Sequence, residues 1–365
     1  MKICILTQPL GANFGGILQA YALQRVLKNL GHDVTTLRFA PQAVWWVPSG
    51  IKKLTLTLRR FLSKYIKGNK SILYCNPALQ TRFAFRELNR FIDEHIDHLD
   101  VTPPLKQSKL PAFDAYVVGS DQVWRPAYSP CLPNFYLDFL GDEPVKRIAY
   151  AASFGVDTWE VDEETTAQFR ELAKRFDAIS VREESGIALC RDYLEVKAAL
   201  MPDPTLLLSA EEYLQICVSP SQECEEYIAA YFLDQDDREQ SFLDRLSIQF
   251  GIPVRYIGKY DWATGVDSIE SWISGIAQAR FVVTNSFHGT VFSLLFKKDF
   301  LSIINRERGA SRFESLLKAV DLQDRLLDKT QLESDITKRQ DIPWDTVSAA
   351  LEKMRQKGLR FLNSI

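Results

Sequence analysis

Short apolar runs alternate along this chain with segments of helical periodicity, and this alternation limits the fold more than any other feature. Residues 3–6 are fully apolar, a glycine-containing loop follows, and then ILQAYALQRVLKNL places apolar residues at near-helical spacing before HDVTTLRF. Unbroken apolar runs are typical of strands buried on both faces of a parallel sheet. Parallel strands need crossover connections, which the helical segments supply, so the chain is expected to begin with a βαβ unit.

The same rhythm occurs in two blocks. The first has further apolar runs at 114–118, 147–152 and 178–181, and the second at 227–233, 253–258, 281–284 and 300–304. AALMPDPTLLL (198–208) reads as a strand broken by two prolines, which mark a boundary. We therefore predict an α/β protein with two Rossmann-like domains facing a cleft, 1–208 and 222–335. A last helix is predicted at 345–365, and we hypothesise that it packs back on the first domain.

Residues 42–100 interrupt this rhythm. Apolar residues between 51 and 65 recur three or four positions apart, which predicts an amphipathic helix. The polar face of this helix is basic, with Lys52, Lys53, Arg59, Arg60, Lys64 and Lys67. We interpret 42–100 as a helical insertion in the first domain. The alternative is a tryptophan-tipped surface that makes peripheral contact with a membrane or with lipid-linked substrates.

Composition and charge exclude several classes of protein. The formal net charge of −3 gives no reason to expect nucleic-acid binding. The six cysteines are scattered without metal-ligand spacing, so neither a zinc site nor a disulfide framework is expected. The apolar run at the start is too short for a signal peptide, and no uncharged run approaches the roughly 18 residues of a membrane span. We expect a cytoplasmic protein, with the inner face of the membrane as a further hypothesis.

Small, polar or charged residues follow nearly every predicted strand. They are residues 13–16, 119–122, 153–155, 182–183, 203, 285–289 and 305–306. Ligands of open parallel sheets bind beyond the carboxyl ends of the strands, so these loops predict a cleft lined with hydrogen-bonding groups. GANFGG lacks the GxGxxG spacing, and no acidic residue ends the second strand, so an NAD site is not expected. Its glycines could hold an anion or a sugar, or form a tight turn, and both interpretations stay open.

Four side chains in these loops and nearby are candidates for chemistry. Arg182 stands where a buried strand meets a helix start, so it either binds phosphate or carboxylate or pairs with a neighbouring glutamate. Arg312 poses the same choice, and Asp121 is either a base, a sugar-hydroxyl acceptor or a turn cap. His288, in TNSFHGTVFSLLF, stands at a predicted helix start that favours anions, and it could move a proton near neutral pH. The alternative for His288 is a capping or core role.

Six motifs occur in a fixed order over about residues 1–320. They are MKICILTQPLGANFGGILQAYALQRVL, VVGSDQVWRP, SFG, ISVREESG, PDPTLLL and VVTNSFHGTVFSLLF. Together they resemble the polysaccharide pyruvyl transferase family. The resemblance implies a GT-B-like fold with phosphoenolpyruvate as co-substrate and no other cofactor. It also implies a product in which a pyruvate ketal bridges two hydroxyls of a sugar, in capsule, exopolysaccharide or cell-wall glycan assembly.

The resemblance further implies that Arg182 contacts an anion and that His288 is the donor-site histidine. Members of the family can carry an arginine two residues before this histidine, where the chain has Ser286, so Arg312 or Arg308 is expected to supply that charge. We expect His288 to act as the acid, Asp121 as the base, and no metal. The other expected donor contacts are Ser286, Gly289, Thr290 and Arg312. The expected acceptor contacts are Asn13, Gly15, Gly16 and Gln19.

Two other functions fit the same residues. One is a GT-B-type glycosyltransferase that uses a nucleotide sugar, with a helix start holding the diphosphate. The other is a non-catalytic protein that binds a glycan or phosphate. For the pyruvyl transferase, the expected partners are phosphoenolpyruvate and a sugar acceptor that is free, lipid-linked or nucleotide-linked.

Overall fold

Two parallel sheets with helices packed on them make up the protein in the computed structural model. The structure describes residues 1–11, 13–39, 85–217, 225–234, 236–261, 265–304, 309–333 and 340–365. A cavity between the sheets is lined from both of them. The predicted α/β architecture, two Rossmann-like units facing a cleft, is therefore confirmed.

The first sheet has seven parallel strands in the order β3-β2-β1-β4-β5-β6-β7. The strands are β1 (Lys2–Leu6), β2 (Asp33–Phe39), β3 (His98–Val101), β4 (Ala115–Val118), β5 (Lys146–Ala152), β6 (Ala178–Val181) and β7 (Ala199–Leu200). The helices of this part are α1 (Phe14–Asn29), α2 (Arg86–His95), α3 (Glu163–Ala173), α4 (Glu184–Tyr193) and α5 (Ala210–Leu214). Successive residues of β1 enter different cores, Ile3 and Ile5 on one face and Cys4 and Leu6 on the other. Burial on both faces explains why this strand is apolar after its exposed first residue, Lys2.

The second sheet has five parallel strands in the order β14-β13-β12-β8-β9. Its strands are β8 (Ile228–Tyr231), β9 (Val254–Tyr256), β12 (Phe281–Thr284), β13 (Asp299–Ile304) and β14 (Leu326–Asp328). A separate antiparallel pair comprises β10 (Tyr260–Asp261) and β11 (Gly265–Val266). The helices are α6 (Asp237–Phe250), α7 (Ile269–Ala277), α8 (Phe287–Leu295), α9 (Ser311–Ala319) and α10 (Trp344–Asn363).

The last part of the predicted insertion at 42–100 belongs to the first sheet, so the prediction is wrong there. Helix α2 buries Leu88, Phe91 and Ile92, and β3 pairs in register with β2. Strand β3 lies at the edge of the sheet, where polar residues are tolerated, and its sequence HLDV therefore gave no apolar run. The predicted amphipathic helix and its basic face lie outside the described residues.

The predicted strand at 198–208 is short. Only Ala199–Leu200 pairs with β6, and Pro204–Leu207 is a turn of 3-10 helix. Proline cannot donate a ladder hydrogen bond, which explains why the strand stops before Pro202. Asp203 caps the turn by accepting a hydrogen bond from the Thr205 backbone N–H at 3.0 Å. This turn fixes the direction of the Asp203 side chain.

Helix α10 packs against this same turn. Arg355 Nε donates to the Leu207 carbonyl at 2.8 Å, and Gly358 lies against Leu207 and Tyr150. The C-terminal helix thus contacts the first sheet's unit after the chain has passed through the second. None of the helices among the described residues combines the length and apolar character needed to cross a membrane.

Each sheet has one point where the strand order reverses. In the first it falls between β1 and β4, and in the second between β8 and β12. Phe14 at the start of α1 stacks on Trp272 of α7, with ring centroids 5.6 Å apart, so the two units pack directly on each other. Ligands of open parallel sheets bind at these reversal points. The loops after β1, β4, β8 and β12 are therefore the first place to look for a site.

Candidate functional site

A cavity of about 400 Å³ lies between the two reversal points. The loops after β1 and β4 line it from the first sheet, and the loops after β8 and β12, with α9, line it from the second. The lining residues are Gln8, Pro9, Asn13, Asp121, Gln122, Tyr128, Leu233, Asn285, Ser286, Phe287, His288, Arg312 and Phe313. Most are polar or aromatic, and the volume suits a small ligand.

Helix α8 carries His288 into this cavity. Ser286 is the N-cap, and its hydroxyl accepts a hydrogen bond from the Gly289 N–H at 3.4 Å. Phe287 and His288 hold the first two helical positions, where backbone N–H groups have no partner inside the helix. The helix start thus offers N–H groups and the positive end of the helix dipole beside the imidazole.

The imidazole of His288 is held from two sides. A Cβ on Gly15 of α1 would overlap the ring at Nδ1, so glycine at this position makes room for the histidine. On the other side, Nε2 lies 3.5 Å from Oδ2 of Asp203 and has no hydrogen-bond partner. His288 is 4% exposed. It is therefore a buried, positioned histidine that borders a cavity.

Asp203 is a buried carboxylate that the sequence placed among the strand-end residues of the predicted cleft but to which it gave no role. Its Oδ2 accepts from Arg182 Nη1 at 2.5 Å and from Ser120 Oγ at 3.2 Å. Its Oδ1 accepts from the backbone N–H and hydroxyl of Thr205. Burial opposes the charge, but His288, Arg182 and Thr205 outweigh it and hold the pKa of Asp203 well below its usual range.

Arg182 lies between two aspartates. Its Nη1 contacts Asp203, and its Nη2 lies 3.2 Å from Oδ1 of Asp121. The neighbouring glutamates considered as partners have other contacts. Glu183 accepts from Ser153 and from the N–H groups of residues 154 and 155, and Glu184 pairs with Lys318. Arg182 therefore pairs with two aspartates that are far from it in the sequence, and not with the glutamates that follow it.

Burial disfavours the charge of Arg182, but Asp203 and Asp121 outweigh burial and raise its pKa. The side chain is 1% exposed, and Arg182 is not among the described residues that line the cavity. In this structure it stands behind the cavity wall and holds the two carboxylates. A direct contact between Arg182 and a bound anion stays a prediction.

Arg312, from the first turn of α9, lines the cavity itself. Its Nη1 is 4.0 Å from Oδ1 of Asp121, and its guanidinium lies 5.5 Å from the centre of the Phe287 ring. Arg182 contacts the same ring, at 4.9 Å. Burial and the charge of Arg182 lower the pKa of Arg312 to about 10, so it remains charged at neutral pH. Arg308, the other arginine considered, lies outside the described residues.

Asp121 lines the cavity from the loop after β4. It has a positive φ of 71°, and its Oδ1 accepts from the Gln122 N–H at 2.9 Å. Burial acts to raise its pKa, but the charges of Arg182, His288 and Arg312 prevail and lower it. Asp121 is therefore ionised at neutral pH and combines a turn-capping contact with a position on the cavity wall.

Two expected donor contacts on α8 have other contacts in this structure. The hydroxyl of Thr290 lies 2.6 Å from Ser302 Oγ and also donates to the Ser286 carbonyl, away from the cavity. A Cβ on Gly289 would overlap the hydroxyl of Thr284, so the glycine lets α8 approach the end of β12. Of the expected donor contacts on α8, Ser286 lines the cavity.

Of the four expected acceptor contacts, one lines the cavity and the other three pack against neighbouring residues. Asn13 lines the cavity, and its side chain makes no capping hydrogen bond to α1. Gly15 packs against His288, and a Cβ on Gly16 would meet the Asn13 side chain at 3.4 Å. Gln19 is fully buried, and it donates to Thr7 Oγ1 and accepts from the Ser120 N–H. Gln19 therefore holds the loop after β4 against α1.

Several cavity residues were not predicted from the sequence. Gln8, Tyr128 and Leu233 line it in addition to Gln122 and Phe287 of the predicted loops, and Phe287 contacts both arginines. Tyr128 and Leu233 are exposed large hydrophobics that face the cavity from different sheets. A signal for Gln8 and Leu233 existed, since Gln8 follows a predicted strand and Leu233 is the last residue of another. Tyr128 gave none, because it lies several residues beyond the end of β4.

The charges of the cluster nearly cancel. Arg182 and Arg312 balance Asp121 and Asp203, and the buried carboxylate of Glu183 also acts on both arginines. A proton on the imidazole would add one positive charge to the cluster. The arrangement can bind an anion, deliver a proton beside it, and hold a carboxylate close to both.

A family model described as polysaccharide pyruvyl transferase matches residues 13–307, most of the chain. A comparison with curated protein sequences found no match. Similar solved structures include UDP-GlcNAc 2-epimerase from Neisseria meningitidis bound to UDP-GlcNAc (10% identity, TM-score 0.47, covering 100% of this chain and 94% of that one). Another is UGT71G1 of Medicago truncatula complexed with UDP-glucose (10% identity, TM-score 0.45, covering 100% and 93%).

Proposed function

Because the chain belongs to the polysaccharide pyruvyl transferase family, we propose that it moves pyruvate from phosphoenolpyruvate onto two hydroxyls of one sugar as a ketal. The observation that carries the proposal is the convergence of His288, Arg312 and the start of α8 on one cavity. The proposed setting is capsule, exopolysaccharide or cell-wall glycan assembly in the cytoplasm. The proposed acceptor is a sugar, free or attached to a lipid or nucleotide.

The donor carries a phosphate and a carboxylate, which need positive charge and oriented N–H groups. Arg312 supplies a guanidinium on the cavity wall, and the helix start supplies N–H groups at Phe287 and His288. A proton on His288 would add one further positive charge beside these groups.

Ketal formation requires two additions at C2 of the donor. A sugar hydroxyl adds to C2 and loses its proton to a base, while His288 protonates the methylene carbon, which becomes a methyl group. Phosphate then leaves with the electrons of its bond to C2, and the second hydroxyl adds there and loses its proton. The products are a ketal and phosphate. One hydroxyl proton replaces the proton taken up by the methyl group, and the phosphate takes the other.

Asp121 is the proposed base. Its lowered pKa makes it a weak base that is ionised at neutral pH. It can therefore accept a hydrogen bond from the acceptor hydroxyl, and it takes the proton only as the bond to C2 forms. Arg182, held between Asp121 and Asp203, keeps this carboxylate in place.

The test is pyruvyl transfer by the purified chain. Phosphoenolpyruvate is incubated with a panel of sugar acceptors, and pyruvylated product and phosphate are measured by mass spectrometry and a phosphate assay. His288→Ala should lower turnover by about 100-fold or more, because general acid catalysis contributes on that scale. His32→Ala, a change in the turn after α1, is the matched control and should keep turnover.

Thermal-shift measurements separate this function from the nucleotide-sugar alternative. A ligand that binds only the folded state raises its melting temperature. Phosphoenolpyruvate should stabilise the chain. Stabilisation by UDP- or GDP-sugars, without any response to phosphoenolpyruvate, would contradict the proposal. Undiminished transfer by His288→Ala would remove the histidine from the mechanism.

A further inference from the structure

We infer that Asp203 is a positioning residue for the proposed reaction, which holds the imidazole of His288 and the guanidinium of Arg182 in one fixed arrangement across the two halves of the protein. The inference rests on the proposed function for its kinetic consequences. Its geometric basis is a fully buried carboxylate that contacts Arg182 of the first unit and His288 of the second.

The two oxygens of Asp203 have different partners. Oδ1 accepts two hydrogen bonds from Thr205, at 3.0 Å from the backbone N–H and at 2.7 Å from the hydroxyl, which fix the carboxylate to its own turn. Oδ2 faces Arg182 at 2.5 Å, Ser120 at 3.2 Å and His288 at 3.5 Å. One oxygen therefore anchors the side chain, and the other orients the groups of the site.

Asp203 connects parts of the chain that no single element holds together. Arg182 follows β6 and Ser120 follows β4, both in the first sheet, whereas His288 begins α8 after β12 of the second. Gly15 leaves space for the ring at Nδ1, and Asp203 faces it at Nε2. The orientation of the imidazole is thus set by the first unit, although its backbone belongs to the second.

Asp203 acts through other residues. Its side chain is 0% exposed, and it is not among the described residues that line the cavity. A substrate in the cavity would meet His288, Arg312 and Asp121 before it could reach this carboxylate. A change at Asp203 should therefore alter turnover through His288.

Asp203 is the charged group that faces the imidazole directly, and it shares Arg182 with Asp121. Replacing Asp203 by asparagine removes the carboxylate at Nε2 and leaves Asp121 as the remaining aspartate partner of Arg182. The ring of His288 then loses the group that fixes its orientation, so turnover should fall more than donor binding does.

The experiment compares Asp203→Asn with the wild-type chain and with Asp299→Asn. Asp299 also pairs with a buried arginine, Arg325, but it does not line the cavity among the described residues, so it is a matched control. Asp203→Asn should lower kcat by about tenfold or more, the scale seen for partners that orient a functional histidine. KM for phosphoenolpyruvate should change less than kcat, because Asp203 is not among the described residues that line the cavity, and Asp299→Asn should leave both constants unchanged.

A double-mutant cycle tests whether Asp203 acts through the histidine. If it does, adding Asp203→Asn to His288→Ala should cause little further loss, because coupled residues are not additive. Full additivity in the cycle, or a wild-type kcat for Asp203→Asn, would overturn the inference. A purely structural role would lower the melting temperature and give additive losses in the cycle.

A measurement without substrate keeps this inference separate from the proposed function. The ring resonances of His288 can be followed by NMR over pH in the wild-type chain and in Asp203→Asn. Their cross-peaks to the backbone protons of Gly15, which the ring contacts, should weaken in the variant at a given pH, and unchanged cross-peaks would overturn the inference. Absence of pyruvyl transfer by the wild-type chain would instead count against the proposed function.

Discussion

The charged side chains of the site are buried and depend on one another. Arg182 pairs with Asp121 and Asp203, Asp203 faces His288, and Arg312 approaches Asp121. Removing one member leaves another buried charge without compensation, which can cost about 3–5 kcal/mol and unfold a protein. A residue-level test of the geometry should therefore leave all five side chains in place.

Gly15→Ala meets this requirement. The new Cβ would overlap the imidazole at Nδ1 and force the ring of His288 to move. Misplacing a catalytic group by about 1 Å can cost about 100-fold in rate, so pyruvyl transfer should fall on that scale. Gly11→Ala is the control, because a Cβ there meets nothing within 4 Å. Turnover by Gly15→Ala at the wild-type rate would show that the ring need not lie where it does.

At the scale of elements, the junction between β12 and α8 places the histidine. The Thr284 hydroxyl donates to the Tyr231 carbonyl at 2.7 Å and accepts from the Ser286 N–H at 3.0 Å. Gly289 then lets the helix pass close to Thr284. The tight turn from strand to helix thus depends on the hydroxyl of Thr284 and on glycine at position 289.

Gly289→Ala should therefore destabilise the protein. The Cβ would overlap Thr284, and added volume in a packed site usually costs about 1–3 kcal/mol. Gly16→Ala, in α1, is the matched control for helix propensity, since its Cβ would meet only ordinary contacts at 3.4 Å or more. Urea unfolding should show the loss for Gly289→Ala alone. Equal stability of the two variants would mean that the junction can relax at little cost.

The sequence predicts these elements well where burial is on both faces. β1 is apolar from Ile3 to Leu6 and β12 from Phe281 to Val283, and both were predicted almost to their ends. Edge strand β3 was missed because its residues are half-exposed and polar, and the strand at 198–208 was overestimated because prolines turn the chain.

His288, Asp121 and Arg312 were predicted as site candidates and do line the cavity. Asp203 was placed in the predicted cleft without a role, because its role depends on partners that only the folded chain brings near.

At the scale of the whole molecule, the site lies where two sheets meet at their reversal points. A single hydrophobic cluster includes Ile5 of β1 and Val282 of β12, so the two units share one core. Phe14 of α1 stacks on Trp272 of α7 within that cluster. The shared core holds the two walls of the cavity in fixed positions relative to each other. It also explains why residues from both halves can form one charge cluster.

We propose that this cavity binds phosphoenolpyruvate through Arg312. Calorimetric titration measures the Kd of phosphoenolpyruvate directly, and it needs no knowledge of the acceptor. Wild-type chain and Arg312→Ala are compared, with Lys318→Ala as control, because Lys318 is an exposed cation on the same helix that pairs with Glu184.

Loss of a charged hydrogen-bonding group costs about 1.5–3 kcal/mol, so Kd for phosphoenolpyruvate should rise by about tenfold or more in Arg312→Ala and stay unchanged in Lys318→Ala. A wild-type chain that does not bind phosphoenolpyruvate, or an Arg312→Ala variant that binds it as tightly as the wild type, would contradict the account.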